Sequence, residues 1–280
     1  MSEQSITQRY QQQGYYFPLT VMPETEALQL GDRIAAIANS DIAIKLGNRG
    51  QINQLHVTCP FISDLIRSPI ILDAVESIIG PNLLVWGTSV FLKPAQSNNF
   101  VSWHQDLTYW GLNNDREVAV WLALGPVNRE NGAMRFIPES QRLGQLDHRD
   151  QFDQGNILTR GQYADVDIDE NKAVDVELQP GQASLHHGHL LHCSGPNQTD
   201  QPRLGMVINY VATDVKQSLS EIDFGMLVRG VDEYLNFEPV PSPEAEFDQA
   251  GLAFHHRMLS LHNEVIYDGA TNTESAITAV

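Results

Sequence analysis

The sequence predicts a mainly β fold, a sandwich or barrel with flanking helices, on three observations. Seven short runs rich in β-branched and aromatic residues follow one another: LLVWGTSVFLKP, VSWHQDLTYW, EVAVWLALGPV, GAMRFIPES, AVDVELQP, QASLHHGHLLHCS and RLGMVINYVATDV. They are broken by Gly, Pro and Asn, with no helical pattern between them, which disfavours a parallel α/β sheet. Helical spacing of apolar residues is confined to the two ends of the chain.

At the N-terminal end, residues 23–39 place Leu28, Ile34 and Ile37 on one helical face, and residues 61–79 read as two short helices divided at Ser68 and Pro69 and ended by Gly80 and Pro81. The strands follow. Between them, residues 141–172 are polar and acidic, the composition of a long loop over one mouth of a barrel. Near the C-terminus, Ser242 and Pro243 resemble an N-cap and first helical residue, so residues 244–262 are expected to form a closing helix. The 280 residues are expected to make one domain: a mainly helical part over 1–83, a barrel core over 84–212, a strand and helix part over 213–267, and a flexible tail over 268–280.

Seventeen basic residues against 35 acidic ones leave a formal charge of −18, which repels nucleic acid and anionic lipid surfaces. The two cysteines, Cys59 and Cys193, suggest neither a disulfide framework nor a zinc-thiolate site. The polar N-terminus lacks the apolar core of a signal peptide, and no apolar run approaches a membrane span. A soluble, cytoplasmic protein acting on a small molecule is expected.

The chemistry is concentrated in SWHQDLTYW, residues 102–110. If this run is extended, His104 and Asp106 project from one face. A buried carboxylate without a partner costs several kcal/mol, roughly, so the pair needs either a private hydrogen bond or a metal ion. The same spacing occurs at His148 and Asp150, but in the charged segment QLDHRDQFDQ, where a solvated loop is the expectation. Two histidines and one carboxylate define the facial triad of non-haem Fe(II) oxygenases, so a further histidine is required. The run SLHHGHLLHCS offers His186, His187, His189 and His192; strand alternation groups His187 with His189 and His186 with His192, and periodicity does not choose among them.

VSWHQDLTYW, ENGAMRFIPES and LLHCSGPNQTDQPR resemble the three hallmark blocks of the phytanoyl-CoA dioxygenase family, Fe(II)- and 2-oxoglutarate-dependent oxygenases built on a double-stranded β-helix, a jelly-roll of the cupin type. The matching positions are His104 and Asp106; Asn131, Gly132 and Pro138; then His192, Ser194, Asn197 and Arg203, across about residues 84–212. The resemblance implies that His104, Asp106 and His192 are the catalytic metal ligands, with Fe(II) as cofactor and 2-oxoglutarate and O2 as cosubstrates. It implies that Arg203 binds the distal carboxylate of 2-oxoglutarate, with Ser194 beside it and Lys93 and Trp121 lining the same pocket; for Lys93 a surface position is the competing reading. His186, His187 and His189 then become core or supporting histidines, and Cys193 a buried structural thiol facing away from the metal. Because halogenating relatives carry a small residue where Asp106 stands, hydroxylation of an unactivated C–H bond is expected, with release of succinate and CO2.

For substrate contacts the candidates are Gln105, Tyr109 and Trp110, whose rings could equally be core, and Arg229 in FGMLVRG, which could equally form a structural ion pair. With no basic cluster to bind the phosphates of coenzyme A, a small polar metabolite of the amino acid, osmolyte or aminophosphonate type is favoured. The alternatives are an acyl-CoA hydroxylase of the same mechanism, or a non-oxidative metal-dependent hydrolase or binding barrel.

Overall fold

A computed structural model describes residues 4–268 except 49–50, 152, 154 and 159. Two sheets face each other as a double-stranded β-helix. The larger, 9-stranded sheet runs Tyr15–Thr20, Gln182–His186, Glu117–Ala123, Arg203–Ala212, Leu83–Lys93, Phe224–Arg229 and Glu238–Pro239, with the short Gly47–Asn48 and Gln51–Asn53 strands branching from it. The smaller, 4-stranded sheet runs Val174–Asp175, Met134–Phe136, His192–Ser194 and Val101–His104. The predicted tail lies, from residue 269 onward, outside the described residues.

The large sheet is buried on both faces, so its strands read as continuous apolar runs. On Glu117–Ala123, Val118, Val120 and Leu122 point outward into a core shared with the helices, where they meet Ile34, Ile62 and Ile71. Ala119, Trp121 and Ala123 point inward, toward Phe136 of the small sheet. Arg203–Ala212 behaves alike: Leu204, Met206, Ile208 and Tyr210 pack outward, and Val207 inward. Each fully buried aliphatic side chain contributes about 1.5–3 kcal/mol, which is how the helical layer is held to the sheet.

The helices at Glu24–Ala38, Pro60–Leu65 and Pro69–Ile79 fall where the sequence places them, with Pro at the first position of the last two. Among the described residues no helix is long and apolar enough to cross a membrane.

Three expectations need correction. The closing helix spans Gln249–Ile266, not 244–262. Its N-cap is Asp248, whose carboxylate accepts the Gly251 amide at 2.7 Å, whereas Ser242 Oγ accepts a hydrogen bond from Arg67. The run at residues 101–110 is a strand only over Val101–His104; it then turns into a short helix, Leu107–Trp110. The 141–172 segment is not featureless, because His148–Arg149 pairs with Tyr163–Ala164.

Candidate active site

His104 and His192 stand directly opposite each other on neighbouring antiparallel strands of the small sheet. Such partners share a face, and their ring centroids lie 4.1 Å apart. Asp106 reaches them by a route other than strand alternation. Its backbone is already helical, at φ −65° and ψ −43°, so the chain turns at the strand end and swings the carboxylate back over the rings. Oδ1 lies 3.3 Å from His104 Nε2 and 3.6 Å from His192 Nε2.

Both outer ring nitrogens are engaged. His104 Nδ1 donates to Ser102 O at 2.9 Å and His192 Nδ1 to Leu190 O at 2.9 Å. That fixes the tautomers, leaving two Nε2 lone pairs aimed at one carboxylate. Burial, then the neighbouring His104, hold the His192 imidazole neutral, down to about 3. Lone pairs and an anion converging on one point repel one another unless a cation sits between them. The ligand atoms of His104, Asp106 and His192 lie within 4.8 Å of one another, so the donor set fits a divalent ion of the non-haem iron type.

Arg203 opens the central strand of the large sheet and is 2% exposed. Its guanidinium lies 5.1 Å over the Trp121 ring, yet Nε and Nη1 have no hydrogen-bond partner. Burial lowers it to about 10, which leaves it charged at neutral pH. Two unpartnered donors on a buried cation, in the cavity that holds the triad, fit an incoming carboxylate. Lys93, expected either in this pocket or on the surface, is fully buried beside Arg203, and its Nζ donates to Ser194 Oγ at 2.7 Å and to Gly195 O. Burial, then the positive charge of Arg203, lower its ammonium to about 6. Ser194 and Trp121 line the cavity.

The remaining motif residues build the frame. Asn197 Nδ2 donates to the carbonyls of Lys93, Pro94 and Gln201, tying the triad strand to the start of the Arg203 strand. Asn131 Oδ1 accepts the Asn128 amide at 2.9 Å, and Gly132, at φ +84°, passes so close to Gly195 O that a Cβ would lie 2.5 Å from it. Gly205 is equally constrained: a Cβ there would sit 1.9 Å from the Trp121 ring. Gly205→Ala is therefore expected to displace Trp121 and the guanidinium above it. Overpacking of this kind costs about 1–3 kcal/mol, read as a Tm lowered by roughly 2–4 °C per kcal/mol, with weakened 2-oxoglutarate binding in the same sample.

Around the metal ligands the cavity is walled by Tyr109, Trp110, Leu158, His186, Asn209 and Ile266. His186 belongs to the large sheet and His192 to the small one, so the histidine run is not one strand and alternation does not relate them. His186 Nε2 lies 3.4 Å from Asp106 Oδ2. His187 and His189 lie outside the cavity, 3.5 and 3.9 Å from Asp115. Cys193 borders the cavity rather than facing wholly away, its thiol pushed up to about 12, chiefly by burial.

Gln105 and Arg229 do not meet the cavity. Gln105 points away from the triad, and its amide bridges Gly144 O, His189 O and the Leu146 amide. Arg229 is engaged by Asp73 and Glu76, at 2.7 and 2.6 Å. His148 and Asp150 correct the expectation of a solvated loop. His148 Nε2 accepts the Gln105 amide at 3.0 Å, and Asp150 binds Arg160 through both oxygens. Asn209 escaped the sequence reading although it carried a signal, a polar residue in an apolar strand and in phase with Arg203 at every second position.

The sequence model of the phytanoyl-CoA dioxygenase family matches residues 10–205. A probable alpha-ketoglutarate-dependent hypophosphite dioxygenase from Stutzerimonas stutzeri is 29% identical over 167 residues, covering 59% of this chain and 57% of that protein. The peroxisomal phytanoyl-CoA dioxygenase of Homo sapiens is 30% identical over 151 residues, 52% of this chain and 44% of that one. The chain thus matches about half the length of these curated relatives. The apo structure of the non-heme monooxygenase ThoJ superposes with a TM-score of 0.81 at 34% identity, covering 94% of this chain and 98% of that chain.

Proposed function

Because the chain belongs to the phytanoyl-CoA dioxygenase family of Fe(II)- and 2-oxoglutarate-dependent oxygenases, we propose that it hydroxylates an unactivated C–H bond of a small polar metabolite, releasing succinate and CO2. The observation that carries this reading is the buried Arg203 guanidinium, with Nε and Nη1 unpartnered, in the same cavity as the triad. In this reading His104, Asp106 and His192 hold the iron, and Arg203, with Trp121 beneath it and Ser194 alongside, receives the distal carboxylate of 2-oxoglutarate. Bound iron and 2-oxoglutarate supply the oxidising power; the chain supplies position, charge compensation and exclusion of water.

A hydrolase built on the same triad has no use for a buried cation beyond the metal. An acyl-CoA hydroxylase needs a basic surface for the coenzyme phosphates, and the acidic charge of the chain opposes it. The hypophosphite relative supports a small substrate, with amino acids, osmolytes and aminophosphonates as the candidate types. Oxygen uptake and succinate formation that both require Fe(II) and 2-oxoglutarate are the expected results. Hydrolysis of a test ester under anaerobic conditions, with no succinate formed aerobically, would sink the reading.

A further inference from the structure

Resting on the oxygenase reading but setting aside free amino acids and aminophosphonates, whose anionic groups it excludes, we propose that the substrate presents to this cavity an uncharged or cationic group carrying an N–H or O–H donor, received by Asn209 and Tyr109, and that carboxylate, phosphinate and phosphate groups are kept out.

The first argument is charge. In the loaded site the formal charges of the divalent ion, Asp106, doubly ionised 2-oxoglutarate and Arg203 cancel, so no positive charge is left over for a second anion. No other lysine or arginine lines the cavity among the described residues. Two basic side chains that touch residues lining the cavity are engaged elsewhere. Arg160 gives Nε and Nη2 to Asp150 and Nη1 to Ile266 O and Asp268 O, at 3.1 and 2.9 Å. Lys93 is held by Ser194 and Gly195 O. Of the undescribed positions, 1–3, 50, 152, 154, 159 and 269–280 contain neither lysine nor arginine, which leaves Arg49 as the one basic residue among them. An anion entering a buried site without a partner pays a desolvation cost of several kcal/mol, roughly. The net charge of −18 adds repulsion at long range and favours the approach of cations.

The second argument is what the walls leave unsatisfied. Asn209 Oδ1 and Tyr109 Oη are buried and have no hydrogen-bond partner, and both residues line the cavity. His186 adds an acceptor of the same kind. With Nε2 turned to the Asp106 carboxylate, its proton belongs there, which leaves Nδ1 a bare lone pair, also buried without a partner. Two acceptors and a phenol that can act either way call for a donor. Trp110, Leu158 and Ile266 complete the walls with apolar surface, and the rings of Tyr109 and Trp110 suit a planar or cationic body. The combination describes an amide, amine or alcohol on an apolar frame.

The test is binding to the full chain loaded with Ni(II) and 2-oxoglutarate, so that no turnover intervenes, followed by ligand-observed NMR. Matched probes share one apolar body and differ in the head group: 2-phenylacetamide, 2-phenylethylamine and phenylacetate, and likewise prolinamide, pyrrolidine and proline, with hypophosphite as a small anion. The amide or amine of at least one series is expected to bind at least tenfold tighter than its carboxylate. That binding should weaken at least tenfold in Asn209→Leu and in Tyr109→Phe. Asn209→Asp, which keeps the shape but adds a buried charge, should shift preference from amide to amine, with its Tm compared to wild type. A carboxylate or hypophosphite that binds as tightly as the neutral probes overturns the proposal. So does a panel in which no amide or amine binding depends on Asn209. Binding of 2-oxoglutarate to the Ni(II) protein is measured separately; its loss would strike the oxygenase reading and not the character of the substrate subsite.

Discussion

Asp106→Ala is expected to abolish 2-oxoglutarate-dependent hydroxylation and to strip the protein of most of its iron. The carboxylate is the anionic member of the cluster, and its Oδ1 lies 3.3 and 3.6 Å from the two Nε2 atoms. Losing a mere supporting contact to a metal ligand typically lowers metal affinity by about 10–100-fold, and losing the ligand itself should exceed that. A second consequence is local: His186 Nε2 loses the acceptor 3.4 Å away and becomes a buried donor without a partner. Iron content by metal analysis, and succinate formation at saturating Fe(II), measure the two effects independently. Asp106→Asn separates them, since an amide oxygen keeps the shape without the charge; it should retain the fold and lose most of the iron. Hydroxylation surviving in Asp106→Ala would show that the carboxylate is not a ligand.

What could be read in the sequence, and what could not, follows from how each element is stabilised. The helix at Pro69–Ile79 announces itself because local signals, a proline at the first position and Gly80 at the end, coincide with one apolar face. The Tyr15–Thr20 strand, in YYFPLT, goes unrecognised because Pro18 argues against a strand interior, yet an edge strand tolerates a missing donor, and this one lies at the edge of the large sheet. The closing helix has its N-cap six residues past Ser242 because a cap works only where its side chain reaches a free amide, and Asp248 does so. Pattern matching could name the residues of the candidate site, but the geometry had other causes. Asp106 arrives through a strand-to-helix corner and not by alternation. His186 approaches Asp106 from the opposite sheet. Contacts made across the barrel leave no periodic trace in either strand, so such neighbours appear only once the two sheets are closed on each other.

Arg203→Ala is expected to raise the 2-oxoglutarate concentration for half-maximal succinate formation by about 10²–10³-fold. The guanidinium is 2% exposed, stacked on Trp121, and has Nε and Nη1 free for the distal carboxylate. Removing one member of a buried charge pair costs about 3–5 kcal/mol, because the other charge is left desolvated, and each 1.4 kcal/mol is about tenfold in binding. Iron content should be unchanged, since neither Nε nor Nη1 of Arg203 is hydrogen-bonded to any of the three ligands. Arg203→Lys should recover only part of the loss: a point charge replaces two parallel hydrogen bonds, and the shorter side chain gives up the stacking on Trp121. Stability sharpens the test. Without cosubstrate, Arg203→Ala removes a buried cation lacking partners, so the apo protein should melt no lower than wild type, whereas the rise in Tm on adding 2-oxoglutarate should vanish. A merely structural arginine would give the opposite pattern, a lowered apo Tm with the ligand-induced rise intact. An unchanged half-saturation concentration would move the anchor to Lys93, the other buried basic side chain at this end of the barrel, which would first have to release Ser194 and Gly195.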